Sequence, residues 1–265
     1  MHRAPGDETP EPWTDAYLAA HRRTVAGVLD DPELIERLAH GRELPEGYGV
    51  GLDERVIELP WLFAQGLAGR VLDAGSALNH RHVLERFRPS LESLLELTLA
   101  PEEHSFPELG VSYVYADVRE LPFRDGYFDA VVCLSTLEHV GMDNARYGSH
   151  AERAEEPEGE ADRALRELAR VLVPGGALYL TVPYGRRENH RWFRQLDRTE
   201  FERLAAVLDP HDVSVSVFAY AAAGWQRSDL DAASDSRYHD HLRVGALATD
   251  RAAAARAVAC LRLTP

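Results

Sequence analysis

The sequence predicts an α/β fold in which helices cover both faces of a mostly parallel, doubly wound sheet. From residue 69 onward, apolar segments with the length of strands alternate with amphipathic helical segments. Parallel strands joined by helices produce this alternation. With 265 residues, 45% of them hydrophobic, the chain is long enough to bury one large core. Together these observations favour one large domain with appendages.

The predicted elements follow one another along the chain in a regular order. The sheet begins with a strand at 70–74, followed by a helix at about 79–88. Further strands are expected at 93–99, 111–116, 128–134, within PGGALYLTVP (174–183), at 212–220 and at 257–264, with helices at about 160–172 and 198–208. Because no strong helix separates the last two strands, we expect them to form an antiparallel pair at an edge of the sheet.

Three segments surround this alternating pattern in the predicted domain organisation. Residues 1–12, rich in Pro, Asp and Glu, are expected to be disordered. Residues 13–44 are predicted to form a helical extension of two short helices, and residues 45–265 the main domain. Within that domain, the long connections 141–160 and 221–250 are predicted to be lids or substrate walls.

Composition and charge narrow the classes of partner. The formal net charge is -15, and no basic stripe with interleaved aromatic residues offsets it, so nucleic acid is not expected to bind. The N-terminal segment lacks the apolar core of a signal peptide, and no apolar run is long enough to span a bilayer. We therefore expect a soluble, cytoplasmic protein with no membrane partner. The sequence does not indicate an oligomeric state.

The turn after the first strand, within GRVLDAGSALNH (69–80), has features of a ligand-binding loop. Ligands of open α/β sheets bind beyond the carboxyl ends of the strands. Asp73 can accept hydrogen bonds from loop amides, and Gly75 allows a ligand to approach the backbone closely. We expect the next helix to start near Asn79, whose side chain would cap it. A D-x-G turn alone is also common in ordinary loops, so the motifs that follow it matter.

Those motifs give the sequence a resemblance to a known family. They are YADVRELPFRDGYFDAVVCLSTLEHV (115–140) and LARVLVPGGALYLTVP (168–183), with an acid before LPF, FD opening the fourth strand, LEH after it and PGG before the fifth. In this order the chain resembles the class I S-adenosylmethionine-dependent methyltransferases over residues 69–184. The resemblance implies a Rossmann-like, seven-stranded sheet with an antiparallel edge strand, a methyltransferase activity and S-adenosylmethionine as cofactor.

The resemblance also implies which residues contact the cofactor. The methionine part would lie against Asp73, Ala74, Gly75 and Ser76, the adenine beside Asp117 and Val118, and the cofactor above Leu134 and Ser135. Related proteins carry an Asp or Glu for the ribose hydroxyls where this chain has Thr98. The ribose would then be bound by Thr98, by Glu96 on the same strand face, or by Asn79 and His80. Asp117 could also be a solvated turn carboxylate.

Several histidines are candidate bases for the acceptor. Methyl transfer needs the acceptor close to the methyl group and, for many acceptors, loss of a proton. His139, His150 and His190 are candidates, with Glu138 and Asp143 as helpers, and His139 lies directly after the fourth strand. His139 could equally be a packing or capping residue, and the loop of His190 could be merely solvated.

The loops favour a polar acceptor. They are similar to those of uncharacterised methyltransferases of sugar, polysaccharide or natural-product pathways, which suggests secondary metabolism. Tyr184 and Trp192 could line the acceptor pocket beside His190. Arg186, Arg187 and Arg191 could bind a phosphate or carboxylate, or merely solubilise the loop. We therefore predict O-methylation of a sugar or sugar-containing metabolite, with N-methylation of an amino sugar or other small metabolite as the alternative.

The same residues allow three other interpretations. A divalent metal on Glu138, His139 and Asp143 is possible but not favoured, because metal-binding relatives carry a further Glu where this chain has Ser135. A non-catalytic cofactor-binding protein would also fit the altered glycine turn. A nicotinamide-dependent dehydrogenase is disfavoured, since GSALNH lacks the second and third glycines of its fingerprint.

Overall fold

The structure is a computed structural model that describes residues 10–145 and 159–265. Its strands are β1 (Gly69–Ala74), β2 (Leu91–Thr98), β3 (Val111–Tyr115), β4 (Phe128–Leu134), β5 (Leu172–Pro183), β6 (Glu188–Asn189), β7 (Arg194–Gln195), β8 (Asp212–Ala221), β9 (Gly224–Ser228) and β10 (Ala257–Thr264). Its helices are α1 (Asp15–Leu29), α2 (Pro32–Ala39), α3 (Arg55–Phe63), α4 (Arg81–Phe87), α5 (Glu160–Arg170), α6 (Arg198–Ala206) and α7 (His241–Val244).

Eight of the described strands form one sheet, in the order β3-β2-β1-β4-β5-β10-β8-β9. The first five strands in this order are mutually parallel, β10 is antiparallel to both β5 and β8, and β9 is antiparallel to β8. The predicted Rossmann-like, mostly parallel α/β fold with antiparallel strands is confirmed. Two details were wrong. The sheet has eight strands rather than seven, and the last strand lies inside the sheet, between β5 and β8.

The eighth strand explains both differences. β8 and β9 form a tight hairpin through Ala221 and Gly224, so the sheet edge lies on a strand that the sequence pattern did not indicate. Alternating apolar residues are weak in GWQRS, and only Gly224 and Trp225 of this strand are buried. The antiparallel strand β10 is apolar along most of its length, because its side chains enter the hydrophobic cores on both faces of the sheet.

Helices pack on both faces of the sheet, as the doubly wound prediction requires. On one face, the buried side chains of α1 to α4 surround Val71, Ala130 and Val132. On the other face, α5 and α6 cover Leu72 and Val131. Because neighbouring residues of one strand point to opposite faces, β1 and β4 contribute to both cores.

The N-terminal segment contains the two predicted short helices. Thr14 caps α1 and Asp31 caps α2, each with a side-chain oxygen that accepts backbone N–H groups. The described α1, α2 and α3 pack against one another, and Tyr17 and Val25 of α1 are fully buried. Among the described residues, no helix is long and apolar enough to cross a membrane.

Candidate active site

Two turns meet at the carboxyl edge of the sheet, after the neighbouring strands β1 and β4. Each contains a serine with positive φ: Ser76 at 53° and Ser135 at 41°. Residues other than glycine rarely adopt this conformation, which costs roughly 1–3 kcal/mol and is concentrated at functional sites. Strain at both turns therefore marks this edge as the candidate site, where ligands of open α/β sheets bind.

The turn after β1 is held by its own carboxylate. Asp73 is fully buried, and its Oδ2 accepts a hydrogen bond from the backbone N–H of Leu78 at 2.6 Å. Gly75 has a φ of 119°, and a Cβ at this position would overlap the Thr136 hydroxyl. Only glycine fits this point, where the turns after β1 and β4 touch.

The prediction that Asn79 caps the following helix is wrong. His80 is the N-cap residue of α4 and makes no side-chain capping bond. The Asn79 amide donates instead to Glu102 Oε2 at 2.7 Å and to the His104 carbonyl at 3.0 Å, and its oxygen accepts from the Tyr113 hydroxyl. Asn79 is buried and fixes the loop after β2 against the turn, so these contacts outweigh a cap on the short α4.

Glu102 joins the loop after β2 to the turn after β1. Its Oε1 accepts a hydrogen bond from the Ser76 hydroxyl, and its Oε2 accepts the Asn79 bond. Glu102 itself is exposed. Glu102 therefore supplies an exposed carboxylate next to the strained Ser76, close to the end of β2. Related proteins carry an acid at this strand end, at the position of Thr98.

Glu96 lies beside Asp73 in the register of β2 and β1. Both side chains are fully buried, and both Glu96 oxygens and Asp73 Oδ1 lack a hydrogen-bond partner among the described residues. Burial and the neighbouring Asp73 raise the pKa of Glu96 well above its usual range, and burial raises the pKa of Asp73 as well. Two adjacent buried carboxyls disfavour each other's ionised forms, and a cation bound beside them would favour those forms.

The predicted adenine contacts are partly engaged within the protein. Arg119 donates to Asp117 through two nitrogens, the shortest bond at 2.6 Å, and also to Glu160 at 2.5 Å. Although burial acts to raise it, this pairing lowers the pKa of Asp117. Val118 beside it is buried. Asp117 is therefore ionised and fixed by Arg119, with an apolar neighbour.

The turn after β4 is tied to helix α3. Leu134 is fully buried, and the Ser135 amide donates to Thr181 Oγ1 at 2.9 Å. Glu58 of α3 accepts the hydroxyls of both Ser135 and Thr181, the second at 2.5 Å. Arg55, one turn earlier, places Nη1 3.0 Å from Glu58 Oε2, although neither atom has a hydrogen-bond partner in the described chain.

Four carboxyl groups surround Arg55 in what we call the acidic cluster: Asp53, Glu54, Glu58 and Glu138. Glu138 is 2% exposed, and its Oε2 has no hydrogen-bond partner among the described residues. Burial and the nearby Glu58 and Glu54 raise the pKa of Glu138 well above its usual range. Burial, Asp53 and Glu58 raise the pKa of Glu54 to about 8.

Asp53 is joined to helix α1 by hydrogen bonds. It accepts from the Tyr17 hydroxyl at 2.9 Å, and its Oδ1 lies 3.0 Å from His21 Nε2. Although burial acts to raise it, His21, Tyr17 and Arg55 lower the pKa of Asp53 to about 2. Helix α1 thus supplies two hydrogen-bond partners to the cluster, Tyr17 and His21.

An aromatic wall adjoins Glu138. His139 Nδ1 lies 2.8 Å from the Trp192 carbonyl, its ring stacks on the Trp192 ring at 5.0 Å, and its Nε2 is 3.9 Å from Glu138. His190 stacks on Phe193 at 4.5 Å and lies 3.4 Å from Glu188. We call His139, His190, Trp192, Phe193 and Tyr238 the aromatic wall. The third candidate base, His150, lies outside the described residues.

The remaining predicted acceptor contacts are engaged elsewhere. Arg186 pairs with Asp235 at 2.8 Å and Arg187 with Glu200 at 3.1 Å. The buried Tyr184 donates its hydroxyl to the Leu230 carbonyl, and the exposed Arg191 has a φ of 73°. In residues 10–145 and 159–265, no group of three or more His, Cys, Asp or Glu could hold a metal ion.

Sequence reasoning missed Arg55, Glu58 and Glu102. Arg55 and Glu58 carried a readable signal, because two charges three residues apart in the otherwise apolar helix RVIELPWLF must be buried and paired. Glu102 had no such signal, since APEEHSF is ordinary loop sequence.

Comparisons with known proteins support the enzyme class. Residues 90–180 match a family model described as "Methyltransferase domain". About a third of the chain is therefore similar to methyltransferase domains. This match supports the predicted S-adenosylmethionine-dependent enzyme; it includes β2, β3 and β4, whereas β1 and its turn precede it.

Individual relatives are distant. The chain is 32% identical over 88 residues to "Probable tRNA methyltransferase 9B" of Bos taurus, a match that covers 33% of this chain and 16% of that protein. The YcgJ protein from Bacillus subtilis is similar in structure, with a TM-score of 0.48, 15% identity and coverage of 78% of this chain and 98% of that one. N-methyltransferase NodS from Bradyrhizobium japonicum, in complex with S-adenosyl-L-homocysteine, is similar with a TM-score of 0.45 and 12% identity. The match covers 94% of this chain and 98% of that one.

Proposed function

We propose that the protein is an S-adenosylmethionine-dependent methyltransferase that acts on a small polar acceptor. The observation that carries the proposal is the meeting of two strained turns at the carboxyl edge of β1 and β4, where Gly75 has no room for a side chain. The methyltransferase domain match at residues 90–180 agrees with it.

The residues at this edge fit the charges of the proposed cofactor. S-adenosylmethionine carries a sulfonium, an ammonium and a carboxylate. The buried, unpartnered oxygens of Asp73 and Glu96 suit the cationic groups, and the Arg55 Nη1 atom suits the carboxylate. We assign the ribose hydroxyls to Glu102, which already accepts two hydrogen bonds from the turn. Asp117 and Val118 remain our proposed adenine contacts.

The cofactor supplies an electrophilic methyl group, and the chain positions the acceptor. In-line displacement at a sulfonium needs the acceptor atom at about 3 Å from the methyl carbon and a route for its proton. His139 lies beside Glu138 at the end of β4, so we retain it as the proposed base. His190 sits between Glu188 and Asp240, at 3.4 and 3.8 Å, and we propose that it orders the wall of the acceptor site.

Calorimetric titration of the full-length protein with S-adenosylhomocysteine tests the proposal. We expect saturable binding in the micromolar range, and much weaker binding of NADH. Arg55→Met should weaken the binding, whereas Arg42→Met, an exposed arginine paired with Glu36, should not. Absence of binding at millimolar ligand would exclude the proposed cofactor, and tight NADH binding would favour a dehydrogenase.

The acceptor class is a separate question. Our sequence-based prediction was a sugar hydroxyl, with an amine as the alternative. The distant tRNA methyltransferase relatives suggest tRNA as a further acceptor, but a net charge of -15 opposes binding to a phosphate backbone. Incubation with radiolabelled cofactor and either total tRNA or a set of small metabolites separates these classes, and label in the tRNA would overturn the small-molecule proposal.

A further inference from the structure

The acidic cluster contains more carboxyl groups than basic side chains. Asp53, Glu54, Glu58 and Glu138 face a single guanidinium, Arg55, and His21 pairs with Asp53. Asp53 therefore has a basic side chain, His21, and Glu58 has the guanidinium of Arg55, each within 3.0 Å. Within the described residues, the two remaining carboxyls, Glu54 and Glu138, have no such close cation.

Glu138 provides a second, independent observation. It is 2% exposed, yet its Oε2 accepts no hydrogen bond from any described residue. The nearest basic atom, His139 Nε2, is 3.9 Å from Oε1, which is beyond hydrogen-bond distance. A buried carboxyl oxygen without a donor is costly unless a ligand or a proton satisfies it.

The aromatic wall supplies the third observation. Tyr238 contacts Phe193 with ring centroids 4.5 Å apart, and Phe193 contacts the His139 ring at 5.9 Å. The Tyr238 phenol lies in the field of Glu54, Asp53 and Glu138, and burial together with these carboxyls raises its pKa well above the usual range. Aromatic faces beside unpaired carboxyls form the environment that binds ammonium groups.

We propose that the acceptor is a small cationic amine, whose ammonium binds between Glu138, Glu54 and the aromatic wall, and that the enzyme is an N-methyltransferase. This inference rests on the proposed function and narrows it. Glu54 Oε2 accepts the Ala255 N–H at 3.1 Å but has no close cation among the described residues. A sugar hydroxyl would leave Glu54 and Glu138 without a counter-charge, whereas an ammonium provides both charge and N–H donors.

The reaction balances with these groups alone. For a cationic acceptor, Glu138 takes the place of the His139 base proposed above: the bound ammonium gives one proton to the Glu138 carboxylate, which leaves a neutral amine with a lone pair. That lone pair forms the new N–C bond while the carbon–sulfur bond breaks, and the electron pair of the broken bond stays on sulfur. The products are a methylated ammonium and S-adenosylhomocysteine. The high proton affinity of Glu138 suits this role, because the carboxyl is ionised only while a cation is next to it.

A matched pair of probes tests the inference without knowledge of the natural acceptor. The full-length protein is first saturated with S-adenosylhomocysteine and then titrated with benzylammonium chloride or with benzyl alcohol, which share a ring and differ in charge. We expect benzylammonium to bind about tenfold more tightly or better. Glu138→Gln should abolish this preference and Glu54→Gln should reduce it, while Glu202→Gln, an exposed acid of α6, should keep it.

The outcomes separate the two proposals. Failure to bind S-adenosylhomocysteine contradicts the proposed function. Binding of S-adenosylhomocysteine together with equal affinities for the two probes, a preference for the alcohol, or binding of neither probe overturns the amine inference alone. The wild-type comparison needs no variant, so a folding defect in Glu138→Gln would not blur the result.

Discussion

The turns after β1 and β4 lie side by side but are stabilised in opposite ways. In the β1 turn, Asp73 Oδ2 accepts a backbone N–H and Glu102 accepts from Ser76 and Asn79, so neutral donors hold the turn itself, while Asp73 Oδ1 and the Glu96 oxygens beside it have no partner among the described residues. In the β4 turn, Ser135 depends on Glu58 from a distant helix, within a cluster where carboxyls outnumber cations.

The difference assigns the two turns to different ligands. A turn that is hydrogen-bonded within itself keeps its shape and suits a cofactor that is the same in every cycle. A turn surrounded by carboxyls without close cations is incomplete until a positive ligand arrives. We therefore propose that the cofactor binds on the β1 side and the acceptor on the β4 side.

The largest effect is expected from a substitution that disrupts the contact between the two turns. Gly75→Ala should lower the free energy of unfolding by about 1–3 kcal/mol, because of its positive φ and the overlap with Thr136, and should weaken S-adenosylhomocysteine binding about a hundredfold. Gly175→Ala is the matched control, since its φ is 78° and no atom lies within 4 Å of the added Cβ. Denaturant unfolding measures the stability and calorimetry measures the affinity. Unchanged affinity in Gly75→Ala would contradict cofactor binding at the β1 turn.

The next effect concerns the β4 side only. His139→Ala should lower turnover about a hundredfold while S-adenosylhomocysteine affinity stays unchanged, since a lost base affects the chemical step. His190→Ala should also retain cofactor binding, and the exposed His211→Ala is the control. Turnover is measured by mass spectrometry with an acceptor from the metabolite screen. Wild-type rates in both His139→Ala and His190→Ala would refute a histidine base at these positions.

A smaller effect tests the β1 side alone. Glu102→Gln should weaken S-adenosylhomocysteine binding about tenfold, because a charged acceptor for the ribose hydroxyls becomes neutral. The neighbouring Glu103→Gln, also exposed but without a bond to the turn, should bind as the wild type does. Calorimetry compares the affinities of the two variants for S-adenosylhomocysteine. Equal affinities would contradict the role of Glu102 and favour Thr98 or Glu96 as the ribose contact.

The last prediction concerns the pH dependence of the free energy of unfolding. The pKa of Glu54 is about 8 in the folded protein and about 4.3 in an unfolded chain. Between these values the folded state binds more protons, so stability falls as pH rises, by at most about 1.4 kcal/mol per pH unit. Glu54→Gln should remove this part of the slope between pH 5 and 8, whereas the exposed Glu46→Gln should leave it. Unfolding curves at several pH values measure the slope, and identical slopes in Glu54→Gln and wild type would contradict the unpaired state of Glu54.

Local patterns were enough to predict most of the elements. The boundaries of β4 and β10 agree with the predicted 128–134 and 257–264, because these strands are almost continuously apolar and bounded by polar turns. β9 was missed because it alternates weakly and extends a hairpin that only pairing with β8 stabilises. Asn79 was misjudged because its capping propensity is local, whereas its bonds to Glu102 and Tyr113 are not.

The sequence alone determined the fold class, the order of the motifs and the special position of Asp73 and Gly75, since each depends on residues close together in the chain. The tertiary structure decided which carboxyls reach those motifs. Glu58 meets Ser135 from 77 positions away and Thr181 from 123. Hydrophobic periodicity reports which face of an element is buried but not which distant charge is buried against it, so the acidic cluster and its unpaired Glu138 became visible only when α3 was packed onto the carboxyl edge of the sheet.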